Sequence, residues 1–133
     1  MSTAEKLVSG DLTRLAPKDT IEIQLEHPYA GKLDAYLEIA GPAHPATTAF
    51  SRRILDQRMS RENSIDLSID ELESETTELI CARVVGWRGL SEEGVELEFS
   101  PEALRRVITD PRNRWLRLFC DRKLSSDSPF FES

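Results

Sequence analysis

The sequence predicts an α+β fold with an N-terminal β-hairpin, central helices, a short strand and a C-terminal helical hairpin. Three observations predict it. Apolar residues alternate strictly in two early segments, they recur at three- and four-residue steps through the middle, and Ser-Pro and Asp-Pro pairs punctuate two short amphipathic stretches near the end. A length of 133 residues, 39% of them hydrophobic and 31% charged, suits one compact core under a heavily charged surface. The expected organisation is a flexible arm over residues 1–17, a single domain over 18–124 and a tail over 125–133.

In Thr20-Ile21-Glu22-Ile23-Gln24-Leu25 and in Leu33 to Ile39, every second residue is apolar, which predicts two half-buried strands. Pro28 and Gly31 between them favour a hairpin loop. Gly41-Pro42 stops the second strand, and after Pro45 the positions Ala46, Ala49, Phe50, Arg53, Ile54 and Gln57 give a helix one modest apolar stripe. Arg61 to Asp66 reads as a polar, turn-like connection. Ser68 is placed to cap the next helix, with Glu71 three residues on as its capping-box partner. Leu72, Thr76, Leu79, Ile80 and Val84 form its expected stripe, and Gly86 its stop. Val95 to Phe99 alternates as a short strand. Ser100-Pro101 starts a helix with Ala103, Leu104, Val107 and Ile108 inward, and Asp110-Pro111 starts another with Trp115, Leu118, Phe119 and Arg122 on one side. Phe130 and Phe131 in the tail either dock on the core or serve a partner.

Charge and missing motifs narrow the function. A net charge of −7 disfavours broad binding to nucleic-acid backbones, which needs a surface covered by Lys and Arg. No apolar run is long enough for a membrane span and the start lacks the apolar core of a secretory signal, so the chain is expected in the cytoplasm. Cys81 and Cys120, without nearby histidines, read as reduced packing residues rather than a disulfide or metal site. Glu71, Glu73, Glu75 and Glu78 read as a solvated helix face rather than catalytic acids. Glycine-rich phosphate loops, nucleophile elbows and paired Cys-x-x-Cys are missing, so no cofactor, metal or catalytic activity is expected. A small hydrolase would have to build its site around His27 or His44 with carboxylates.

The stretch Trp87-Arg88-Gly89-Leu90-Ser91-Glu92-Glu93-Gly94-Val95-Glu96-Leu97-Glu98-Phe99-Ser100-Pro101-Glu102, followed by Ala103-Leu104, Asp110-Pro111 and Trp115-Leu116, resembles a signature of the tail assembly chaperones of long-tailed bacteriophages. Pro28-Tyr29-Ala30-Gly31 and the basic segment Phe50 to Arg58 are similar to that family in outline, so the resemblance covers about residues 19–124. It implies a noncatalytic factor in the host cytoplasm that coats the aggregation-prone tape measure protein and helps the tail tube protein assemble around it. It also implies a short form, to which this chain would correspond, beside a longer frameshifted one. The rival reading is a structural tail or connector subunit retained in the virion. The residues expected to touch a partner are Trp87, Trp115, Arg117, Phe119, Phe130 and Phe131, each aromatic fitting core or interface. Arginines of the last helix could also pair with the Glu71 to Glu78 face of a neighbouring copy, giving a homo-oligomer.

Overall fold

Alternation becomes a hairpin through pairing that is nearly continuous. In a computed structural model that describes residues 7–60 and 68–131, β1 (Thr20–His27) runs antiparallel to β2 (Gly31–Ala40), with Ile21 opposite Ile39 and Ile23 opposite Leu37. Between Gln24 and Glu26 the register shifts, Leu25 alone standing against Leu33 to Ala35, so the extra residues bulge from β2. Leu25, Ala35, Leu37 and Ile39 are buried on one face, while Glu22, Gln24, Asp34 and Glu38 stand exposed on the other. On that open face Arg88 stacks over the Tyr36 ring at 3.9 Å and donates to both carboxylate oxygens of Glu22 at 3.0 and 2.7 Å.

A short helical turn, α1 (Leu12–Leu15), precedes the sheet, with the Asp11 carboxylate accepting from the Thr13 N–H at 3.0 Å. After β2 comes α2 (Pro45–Met59), capped by the His44 imidazole, and none of its residues is buried. The Arg61 to Asp66 connection lies outside the described residues. Next is α3 (Ile69–Arg83), where Ser68 Oγ accepts from the Glu71 N–H at 3.1 Å, as the capping pattern predicts.

The end of α3 departs from the expected course. Instead of running through Val84 to a stop at Gly86, the helix ends at Arg83 and the chain passes directly into β3 (Val84–Arg88). This strand pairs antiparallel with the second edge of β2, Leu37 opposite Trp87, giving the order β1-β2-β3. The reason is non-local: β2 offers an unpaired edge that the β-branched Val84-Val85 pair suits. Consequently the buried positions of α3 are Thr77, Ile80 and Arg83, and Leu72, expected inside, is 51% exposed.

The predicted Val95 to Phe99 strand is shorter than its alternation. Only Val95–Glu96 (β5) pairs, with Ser91–Glu92 (β4), across Glu93 and Gly94 at φ 50° and 78°. Two helices then close over the inner sheet face. α4 (Pro101–Thr109) is capped by Ser100 Oγ accepting from the Ala103 N–H, and a 3-10 turn at Pro111–Asn113 leads into α5 (Arg114–Leu124). The core joins Leu37, Ile39, Ile80 and Val84 to Leu104, Ile108, Leu116 and Phe119. Both cysteines are free; burial pushes the Cys120 thiol up to about 12 and raises that of half-buried Cys81, as packing thiols should behave.

Beyond α5 the chain stays with the fold. A 3-10 turn at Ser128–Phe131 puts Phe130, 1% exposed, into the core, and its carbonyl accepts from the Lys18 N–H at 2.8 Å. Gly41 makes room for this closure, since a Cβ there would meet the Lys18 carbonyl at 2.2 Å and the Phe130 ring at 3.1 Å.

Candidate protein-contact surface

The six residues expected to touch a partner have diverged in role. Trp87 is half-buried in β3, edge-on to Phe99 with ring centroids 5.0 Å apart, and its Nε1 donates to the Leu97 carbonyl at 2.9 Å. It braces the segment after the β4–β5 turn. Phe119, 3% exposed, and Phe130 belong to the core. Arg117 ties α5 to α3, donating to Thr77 Oγ1 at 2.6 Å and to the Glu73 carbonyl. Trp115 and Phe131 reach the surface; Trp115 is half-buried and Phe131 is 56% exposed.

Trp115 belongs to a surface that the strand and helix patterns do not single out. The His27 imidazole lies 4.9 Å from its ring, nearly edge-on, so α5 abuts the hairpin tip. His27 is fixed from the other side, because its Nδ1 accepts from the backbone N–H groups of both Tyr29 and Ala30 at 3.1 Å. That geometry places the proton on Nε2 and turns the imidazole into a brace for the turn. His44 plays the same part at α2, where Nδ1 accepts from the Ala46 N–H at 3.0 Å. Both His-Pro pairs are therefore local caps, a role the sequence reading left unassigned.

Together the tip and α5 form a shallow groove lined by Glu26, His27, Pro28, Trp115, Leu118 and Arg122, with Phe119 beneath. Beside it Tyr29 stands 95% exposed, and Leu118 is 53% exposed. The floor is apolar and its rims carry opposite charges. Neither Glu26 nor Arg122 has an ion-pair partner among the described residues; the Arg122 guanidinium instead lies 5.8 Å from the Phe119 ring. Such a surface binds apolar and aromatic side chains while its rims select flanking charges.

Two carboxylates on the acidic face of α3 are engaged within the chain. Glu75 pairs with Arg58 at 2.7 Å, and Glu78 bridges Arg105 at 2.8 Å and Arg53 at 3.6 Å. The Arg105 hydrogen bond holds the Glu78 carboxyl below its usual value. These pairs lash α2 and α4 to α3 and leave Glu75 and Glu78 engaged rather than open to a neighbouring copy. Among the described residues no three His, Cys, Asp or Glu side chains cluster as metal ligands, and no helix is long and apolar enough to cross a membrane. Comparisons with protein-family models, curated proteins and solved structures gave no significant match.

Proposed function

We propose that this chain is a noncatalytic tail assembly chaperone acting in the host cytoplasm, which binds the tape measure protein and assists assembly of the tail tube protein. The observation that carries the binding role is the groove between the hairpin tip and α5, where Tyr29, Trp115 and Leu118 offer apolar contacts on a body of net charge −7. An acidic, highly charged body keeps a hydrophobic client dispersed while this patch holds it. The choice of client rests on the resemblance of Trp87 to Trp115.

Co-expression with a tape measure protein tests the reading. The expected result is a soluble complex, with Leu118→Glu and Tyr29→Ser each weakening it by about tenfold, the scale of a lost central contact. A client that stays insoluble, or a chain recovered as a component of purified virions, overturns it.

A further inference from the structure

The groove has a second candidate occupant in the chain itself. The arm before β1 carries Leu12 at 81% and Leu15 at 46% exposure, three residues apart on α1 and so on one helix face, with Val8 at 77% before them. Two exposed leucines on one turn form an apolar ridge without a covering partner among the described residues. Asp11 and Arg14 flank this ridge, and the groove is flanked by Arg122 and Glu26. The Arg14 and Glu26 side chains make no ion pair among the described residues. Ridge and floor are both apolar, and their flanking charges are opposite in sign.

Reach decides whose groove the arm can fill. The Lys18 N–H is bound to the Phe130 carbonyl, which fixes the arm at the start of β1. The groove floor at Pro28 and Trp115 lies beyond the other end of the eight-residue strand, about 26 Å away at the rise of an extended chain. Leu15, three residues before Lys18, reaches at most about 11 Å, and the helical turn brings Leu12 closer to Lys18 than an extended chain would. A chain cannot lay this ridge on its own groove floor.

We propose that the arm of one chain seats in the groove of a second copy, with Leu12 and Leu15 on the Pro28, Trp115 and Leu118 floor, Arg14 at Glu26 and Asp11 at Arg122. The contact is head-to-tail, since the surface given and the surface received are different, and it builds chains or closed rings. It needs no client and stands apart from the chaperone reading. A client entering the groove would displace the arm.

Sedimentation velocity on the purified chain alone is the test, with circular dichroism to verify that each variant is folded. The expected result is a mass that rises with concentration, and a Leu12→Asp, Leu15→Asp double variant that stays monomeric because both changes lie on the exposed ridge. Arg14→Glu and Glu26→Arg should each weaken association by about fivefold, the size of one partly exposed ion pair, and combining them should restore it. A wild-type chain that is monomeric at all concentrations overturns the proposal, as does association indifferent to the leucine changes. Association that needs the leucines but is not restored by the combined charge reversal overturns the assignment of the groove.

Discussion

Arg83 is the one charged side chain among the described residues that is withdrawn from water, at 5% exposure. Its guanidinium donates twice to the Ala40 carbonyl, at 3.1 and 2.8 Å, lies 5.5 Å from the Phe130 ring and faces the Asp127 carboxylate at 3.7 Å. Burial pushes its pKa down and Asp127 opposes the shift, yet an arginine keeps its charge in such a setting. The residue joins the end of β2 to the segment after α5. Arg83→Met retains much of the volume but leaves the Ala40 carbonyl without its donor, so a loss of about 1–3 kcal/mol is expected in urea unfolding. Phe130→Ala empties the neighbouring pocket and should cost more, about 3–5 kcal/mol. Equal small effects from both would show that the segment after α5 contributes little to the core. Nothing in the sequence marks Arg83, because an arginine in the last turn of a helix is also what the helix dipole favours at an exposed site.

The elements differ in how far local sequence decides them. The hairpin, α4 and the start of α3 were legible because each carries its own signal: alternation in Ile21 to Ile39, and serine caps at Ser68 and Ser100. β3 was not, since Val84-Val85-Gly86 reads equally as the frayed end of a helix, and the deciding partner is the edge of β2 more than forty residues earlier. The groove was half legible. Trp115, Leu118 and Arg122 share a side of α5 in the sequence, but only the pairing of β1 with β2 brings His27 and Pro28 to them. α2 shows the reverse case, a helix with a readable stripe that reaches no core and is held by Arg58–Glu75 and Arg53–Glu78. Because Arg105 and Arg53 depress the Glu78 pKa, the associated stabilisation is complete above the ordinary glutamate value of 4.5 and fades as pH falls through the lower folded value. Glu78→Gln should therefore lower the urea midpoint near neutral pH and shrink its fall on acidification; an unchanged acid dependence would place that sensitivity elsewhere.

For the molecule as a whole, the division of labour between its faces matters more than its net charge. The helices cover one face of the sheet, the opposite face keeps its charges in solvent, and exposed apolar residues occur at the hairpin tip with α5 and on the arm ridge as well as along α2 and the start of α3. The tip patch and the arm ridge lie at opposite ends of β1, a geometry that suits end-to-end arrays rather than closed pairs. The bond from Lys18 to Phe130 has a further consequence for how the polypeptide may be threaded. Residues 18 and 130 lie side by side, so a few glycines and serines joining Phe131 to Pro17 should permit a circular permutant opened between Glu93 and Gly94, in an exposed turn. Such a chain lacks the arm before Pro17 and should keep native circular dichroism, and its new ends would emerge beside β4 and β5.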